Sequence, residues 1–257
     1  MKFLKLCDII KKCESGVVAF SGGVDSSLLA YLCSQLLGKS LCVTADSPTL
    51  PRNELSEAKE FARKYNLNHR ILPHNELEDE NFKRNDEMRC FYCKDGLFCI
   101  LNEIKANEGY IHVFDGSNFD DLDDIRPGRD AAAKNHVKSP LLEAELRKKD
   151  IRAISKALAL PTWDKPQMAC LSSRFPKDMP IDEEGLKKIE IAENELKMLG
   201  FHDVRVRYHG DLARIEIGKD EELDLSEIRK LVPKIKDLGF KFVTLDLEGY
   251  RMGSLNK

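Results

Sequence analysis

The sequence lacks any long apolar run. No segment approaches the roughly 20 consecutive apolar residues of a membrane-spanning helix, which excludes such a span. Residues 1–14 alternate Lys with Leu and Ile at helical spacing, without the apolar centre or cleavage site of a signal peptide. We therefore expect a cytoplasmic protein with no membrane partner.

An excess of positive charge is also missing. Lys and Arg together number 41 against 44 Asp and Glu, which gives a net charge of −3 over 257 residues. No overall basic field attracts nucleic acid, although a local basic patch is compatible with these numbers. We do not expect a nucleic-acid partner, and the length suits one large domain or two unequal ones.

A second C-x-x-C pair is absent, which weakens the case for a zinc ribbon. The single pair, Cys90 and Cys93, is compatible with a redox pair, part of an iron–sulfur site or two inert thiols. Cys170 lies between Lys165 and Arg174, whose charges would favour its thiolate. In a cytoplasmic protein, cysteines are expected as thiols or metal ligands rather than disulfides. The others are interpreted as core or incidental residues: Cys7, Cys13, Cys33, Cys42 and Cys99.

Strand-like and helix-like segments alternate through the first part of the chain. This alternation predicts βαβ units and a parallel sheet covered by helices on both faces. The predicted strands are residues 17–20, 40–45, 69–72 and 111–114, and the predicted helices include 53–65, 94–106 and 147–159.

The order of elements changes after residues 161–166, which contain two prolines and are interpreted as an interdomain hinge. The pattern beyond predicts a small α+β unit. We therefore predict an α/β fold with two domains, residues 1–163 and 164–257. The second has predicted helices at 182–199 and 225–238 and predicted strands at 204–208, 213–217 and 240–245.

A Gly-Gly turn joins the first predicted strand to a helical pattern. Backbone N–H groups at such a turn, together with the helix N-terminus, bind phosphate, and Asp25 would help to hold Mg²⁺. The Lys of a Walker loop is missing. The string SGGVDSS instead resembles the pyrophosphate loop of ATP pyrophosphatases, which predicts a parallel sheet of the adenine nucleotide alpha hydrolase-like type. The predicted ATP-binding residues are Ser21, Gly22, Gly23, Asp25, Ser26 and Ser27.

Two other predicted strand ends carry polar residues. Because the carboxyl ends of parallel strands share one edge, we expect these residues at the same nucleotide site. Arg52 would bind a phosphate, unless its segment is an ordinary proline-containing turn. The acidic residues that follow the strand at 111–114 would attract Mg²⁺, unless they form a solvated loop. The predicted site residues here are Asp46, Arg52, Gly116, Asn118, Asp121 and Arg126.

Basic residues alternate with apolar ones along the predicted strand at 204–208. Period two places Arg205 and Arg207 on one face, where they would suit a phosphorylated substrate. The alternative is a solvent-facing sheet surface.

Several strings carry a resemblance that covers nearly the whole chain: SGGVDSS, SPTLPR, RCFYCK, GSNFDDLDDIRPGR, WDKPQMACLSSR and VRVRYHGDLARIE. Together they resemble the LarE-type ATP-dependent sulfur transferases. The resemblance implies that ATP adenylates the carboxylates of pyridinium-3,5-biscarboxylic acid mononucleotide and that sulfur replaces AMP. The resemblance also implies that the product becomes the sulfur-bearing ligand of a nickel-pincer cofactor. The first domain would bind ATP, and the second would bind substrate and transfer sulfur.

The resemblance also implies site residues and a homo-oligomer. Catalytic roles fall on Asp25, Lys165, Cys170 and Arg174. Arg205 and Arg207 would bind the substrate phosphate, and Glu193 would also bind the substrate. Glu193 and Asp224 are both weaker candidates than the arginines, because no motif fixes their register.

The family has two sulfur sources. In one class the cysteine that matches Cys170 gives up its own sulfur, and in the other three cysteines hold a [4Fe–4S] cluster. This chain has Cys90, Cys93 and Cys170, so it departs from the first class and fits the second. A sulfide source, either free sulfide or a sulfur carrier, would be a partner.

The sequence is compatible with three alternative functions. A tRNA-thiolating enzyme would share the pyrophosphate loop and cysteine-bound cluster, but the net negative charge weighs against it. An ammonia-dependent amide synthetase would leave the three cysteines unused. A binding module without catalysis is the third alternative. The pyrophosphate loop weighs against it, because proteins with this loop generally cleave ATP.

Overall fold

The computed structural model describes residues 1–122, 127–167 and 169–251. Its first sheet has four parallel strands in the order β3–β2–β1–β4, and its second has three in the order β5–β6–β7. The helices and strands, in chain order, are α1 (Lys2–Lys11), β1 (Ser15–Ala19), α2 (Val24–Leu36), β2 (Lys39–Asp46), α3 (Arg52–Lys64), β3 (His69–Pro73), α4 (Glu80–Lys83), α5 (Arg89–Glu108), β4 (His112–Phe114), α6 (Pro127–Lys134), α7 (Pro140–Glu143), α8 (Lys148–Ala157), α9 (Glu183–Met198), β5 (Val204–His209), β6 (Leu212–Ile217), α10 (Leu225–Asp237) and β7 (Phe242–Leu245).

The parallel sheet is covered on both faces, because successive residues of a strand point to opposite sides. Val18 packs with Leu28, Leu29 and other residues of α1, α2, α3 and α8. Val17 faces the other way and packs with Phe98 and Leu101 of α5. The predicted α/β class with a parallel sheet is therefore confirmed.

The chain divides into two compact units. The first comprises Met1–Glu76 and Cys90–Met168, and the second comprises Leu77–Arg89 and Ala169–Lys257. Within the described residues, none of the helices has both the length and the apolar composition to cross a membrane.

The second unit is built on the small sheet, in which β5 and β6 are antiparallel and β6 and β7 are parallel. Val206 and Ile215 face a core that Leu196 of α9 and Ile235 of α10 complete. The short segment Leu77–Arg89 also belongs to this unit, although sequence reasoning did not separate it from the first.

The first turns of α5 differ from the sequence prediction. The helix begins at Arg89 rather than near Lys94, so Cys90 and Cys93 lie inside it and not before it. The side chain of Asp86 accepts a hydrogen bond from the Met88 N–H (2.8 Å), and its carbonyl accepts one from the Arg89 N–H (3.1 Å). These two bonds satisfy N–H groups at the start of α5 that have no partner within the helix. The helix can therefore begin at Arg89, before the predicted start near Lys94.

Candidate active site

The loop between β1 and α2 is a tight turn that leads into the N-terminus of α2. Gly22 has a φ of +73°, and a Cβ at this position would lie 3.0 Å from Cβ of Ala58, so glycine is required. The Ser21 and Ser26 hydroxyls are 3.0 Å apart, and Ser26 also donates to the Gly23 carbonyl. The Ser27 hydroxyl is buried and has no hydrogen-bond partner among the described residues. The turn therefore places serine hydroxyls beside the N-terminus of α2, which is an arrangement that suits a phosphate.

The segment after β4 approaches this loop as predicted. A Cβ on Gly116 would lie 3.1 Å from the backbone nitrogen of Ser26, so the two segments are nearly in contact. The Asn118 amide lies 3.4 Å from an oxygen of Asp25, and the Asn118 N–H donates to Asp121 (2.9 Å). The structure thus brings Asp25, Gly116, Asn118 and Asp121 together, whereas the predicted Arg126 lies outside the described residues.

Asp25 is a largely buried carboxylate with charged neighbours. One carboxylate oxygen is paired with the Lys148 ammonium, and the other is buried with no partner among the described residues. Burial raises the pKa of Asp25; Lys148 opposes this effect, and the nearby Asp121 carboxylate adds to it. A carboxylate oxygen without a partner, near a second carboxylate, fits the oxygen ligands that Mg²⁺ prefers.

Lys165 and Arg52 are both held by carboxylates of the first unit. The Lys165 ammonium donates to the Gly22 carbonyl (3.2 Å) and pairs with Glu54 (2.6 Å) and Glu57 (2.7 Å). Arg52 pairs with Asp46 and donates to the Leu50 carbonyl (2.7 Å). Lys165 therefore contacts the predicted phosphate loop, and a phosphate would compete with Asp46 for Arg52.

Cys90 and Cys93 are free thiols one helical turn apart in α5, so their side chains share a face. Cys90 is exposed, and the Cys93 sulfur lies 3.9 Å from an oxygen of Glu76. Their thiol chemistry and spacing suit two ligands of an iron–sulfur cluster. Among the described residues, no group of three or more His, Cys, Asp or Glu is arranged to hold a metal ion.

The second unit places Cys170 at the surface, with its sulfur 2.8 Å from the Ser172 hydroxyl. Arg174, which is 0% exposed, anchors this loop by donating to the carbonyls of Ala169 (2.7 Å) and Cys170 (3.1 Å). Its guanidinium also forms two bonds to Glu193 (2.8 and 3.0 Å). Arg174 and Glu193 therefore hold the Cys170 backbone, while the thiol stays accessible.

We predict that Arg174→Met strongly destabilises the second unit. Breaking a buried ion pair leaves Glu193 charged and unpaired, which costs about 3–5 kcal/mol. Urea unfolding followed by circular dichroism measures the loss. Lys230→Met, which removes an exposed pair with Glu227, is the matched control. If both variants unfold at the same urea concentration, the buried pair does not anchor this unit.

Arg205 and Arg207 are buried, each about 5% exposed, so the solvent-facing alternative is wrong for both side chains. Arg207 pairs with Glu216 (2.7 Å) and donates to the Ser173 carbonyl (3.0 Å). Glu216 is 1% exposed and pairs with Arg214 as well. Asp224 is different: it caps α10 through the Ser226 N–H (2.8 Å), so the structure gives it a role in the helix.

The chain is similar in sequence to one family model and to several known proteins. A sequence model of the family described as NAD synthase matches residues 3–90, which include the phosphate loop. An uncharacterised protein of Synechocystis is 41% identical over 248 residues (95% of this chain and 92% of that protein). An uncharacterised protein of Methanocaldococcus jannaschii is 36% identical over 97% of both chains. The pyridinium-3,5-bisthiocarboxylic acid mononucleotide synthase of Lactiplantibacillus plantarum is 35% identical over 250 residues, which are 96% of this chain and 91% of the synthase.

The chain belongs to the LarE-type family of ATP-dependent sulfur transferases. It is therefore an ATP-dependent enzyme whose product carries sulfur. The phosphate loop lies in the part that the NAD synthase model matches, while the LarE-type similarity extends through the second unit.

Sequence reasoning did not identify Lys148 as the partner of Asp25. A lysine in the first turn of a helix opposes the helix dipole and is unfavourable unless an anion lies nearby. Here the anions are Asp25, which pairs with the ammonium, and Asp120, which accepts the Lys148 N–H (2.7 Å). The position of this lysine at the start of α8 was the available signal.

We predict that Lys148→Met weakens ATP binding about ten- to a hundredfold, because it removes a charge-assisted donor beside the phosphate loop. Calorimetric titration with a non-hydrolysable ATP analogue measures the change. Lys149→Met changes an exposed lysine of the same helix and is expected to bind like wild type. Equal losses in both variants would show only a general charge effect.

Proposed function

We propose that this enzyme adenylates the carboxylates of pyridinium-3,5-biscarboxylic acid mononucleotide and replaces AMP with sulfur, as a cytoplasmic step in nickel-pincer cofactor synthesis. The observation that carries the proposal is the similarity to the L. plantarum synthase over 96% of the chain, in a molecule with a complete phosphate loop.

The first unit would bind ATP. The Ser21–Ser27 loop would donate N–H and O–H groups to the phosphates, and Gly116 would keep the approach to the helix N-terminus open. Asp25 and Asp121 would hold Mg²⁺, which would neutralise phosphate charge when bound. Lys165 and Lys148 would add positive charge beside the loop, where negative charge develops as pyrophosphate leaves.

The second unit would bind the mononucleotide. Arg205 and Arg207 lie on one strand face, and their guanidinium groups would bind its phosphate, because the arginine fork suits phosphate oxygens. Glu193 would act through Arg174, which fixes the backbone that carries Cys170. The domains proposed for these two roles are residues 1–163 and 164–257, except that Lys165 belongs to the first compact unit and would serve the ATP site.

Cys90, Cys93 and Cys170 would together hold a [4Fe–4S] cluster, which when bound would supply an additional sulfide to the adenylated substrate. The accessibility of Cys90 and Cys170 and the shared helix face of Cys90 and Cys93 support this assignment. Free sulfide or a sulfur carrier would replenish the sulfur. We propose a homo-oligomer on the family resemblance.

We predict that ATP is cleaved to AMP and pyrophosphate, because a pyrophosphate loop replaces the Walker loop. Ion-exchange chromatography of anaerobic reactions with the mononucleotide measures both products. A parallel reaction with bulk tRNA is the control, and it is expected to form no AMP above background. ADP formation, or AMP formation that depends on tRNA, would contradict the proposed function.

A further inference from the structure

Tyr250 covers the two arginines of the second unit. The centre of its ring lies 4.6 Å from the Arg205 guanidinium carbon and 5.9 Å from that of Arg207. Both distances are within the range of cation–π attraction, which is stronger when the cation is shielded from water. Tyr250 lies outside the sequence motifs that predict the site.

Backbone contacts with β6 fix the position of Tyr250. The Asp246 N–H donates to the Ile215 carbonyl (2.8 Å), and the Tyr250 N–H donates to the Ile217 carbonyl (2.8 Å). Gly249 has a φ of +69°, and a Cβ there would lie 2.8 Å from the Ile217 oxygen. The chain therefore turns at a position where only glycine fits, and this turn directs the next side chain.

The two guanidinium charges beneath the Tyr250 ring are neutralised by nearby carboxylates to different degrees. Arg207 has Glu216 at 2.7 Å, but the carboxylate nearest to Arg205 among the described residues is Asp203 at 3.6 Å. Asp203 is about half exposed, so solvent weakens its attraction. Arg205 also donates a hydrogen bond to the Val204 carbonyl (2.8 Å). A buried guanidinium with weak compensation is favourably placed to bind an anion.

We propose that Tyr250 is a positioning residue for the phosphate subsite formed by Arg205 and Arg207. Its ring holds the guanidinium groups on the strand face and shields them from water, so the affinity for a phosphate-bearing ligand depends on the ring and not on its hydroxyl. This inference rests on the proposed function for the identity of the ligand, pyridinium-3,5-biscarboxylic acid mononucleotide.

The test compares Tyr250→Phe with Tyr250→Leu in the full chain. Tyr250→Phe keeps the aromatic face, and we expect its Kd and KM for the mononucleotide to match wild type. Tyr250→Leu keeps an apolar side chain without the face, and we expect Kd and KM to rise about tenfold while kcat stays within about twofold. Leu247→Ala, at a 93% exposed position of the same segment, is the matched control and is expected to behave as wild type. Gly249→Ala is expected to resemble Tyr250→Leu because it displaces the ring.

Arginine modification by phenylglyoxal, located by peptide mass spectrometry, gives a measurement that needs no substrate. We expect Arg205 to react faster in Tyr250→Leu than in wild type or Tyr250→Phe. Unchanged reactivity, unchanged mononucleotide affinity, tighter binding by Tyr250→Leu or an equal loss in Tyr250→Phe would overturn the inference. If wild type does not bind the mononucleotide, the proposed substrate is wrong, and the labelling still decides whether Tyr250 shields Arg205.

Discussion

Changing either Cys90 or Cys93 to Ala is expected to remove bound iron and activity together. Cluster ligation requires thiolates, and alanine offers no replacement ligand. The two cysteines share one face of α5, so losing either leaves an incomplete ligand set. Iron and acid-labile sulfide per chain, measured on anaerobically purified protein, report the first effect, and turnover with added sulfide reports the second.

Cys99→Ala is the matched control for these variants. Cys99 is an exposed free thiol on the same helix, and its sulfur lies 3.5 Å from the Asn135 side-chain oxygen. We expect this variant to keep both iron and activity. If Cys90→Ala and Cys93→Ala stay active while Cys170→Ala alone is inactive, Cys170 is the sulfur donor and the three-cysteine assignment is wrong.

Asp25→Asn is expected to lower the rate of ATP cleavage at least about a hundredfold, because it removes the carboxylate charge at the proposed Mg²⁺ position. AMP and pyrophosphate formation under saturating ATP measures the effect. Asp8→Asn, on the N-terminal helix α1, is a control with the same chemical change and is expected to keep full activity.

The same variant should not unfold the protein. Burial raises the pKa of Asp25 in the folded state, so ionising it costs stability as pH rises through the unfolded value of about 3.9 toward the folded one. The neutral amide avoids this cost, so at neutral pH Asp25→Asn is expected to melt at the same temperature as wild type or higher. A large drop in Tm would show that the Lys148 ion pair is mainly structural.

The phosphate loop could be predicted from sequence because its donors are consecutive residues on one turn. Gly116 and Asn118 could also be predicted, since parallel strands end at a common edge and the polar residues follow β4 directly. The α/β class followed from the alternation of short apolar strands with amphipathic helices. In each case neighbouring residues, or a rule of sheet topology, determine the arrangement.

Other features depend on residues far apart in the chain. Lys148 pairs with Asp25, which lies 123 positions earlier in the sequence. Tyr250 contacts Arg205 because the chain turns after the last predicted strand. The burial of Arg205 and Arg207 could not be seen in the period-two pattern, because that pattern fits a solvated face equally well. Leu77–Arg89 joins the second unit through contacts with residues distant in sequence, among them the hydrogen bond from the Ile181 N–H to the Lys83 carbonyl (2.9 Å).

Intact-protein mass spectrometry during a multiple-turnover reaction is the most direct test of the central claim. Anaerobic enzyme is supplied with ATP, the mononucleotide and sulfide. The number of thiolated product molecules formed per enzyme chain is measured alongside the polypeptide mass. The proposed mechanism predicts several product molecules per chain and an unchanged polypeptide mass. At most one product molecule per chain, together with loss of H₂S from Cys170, would contradict it.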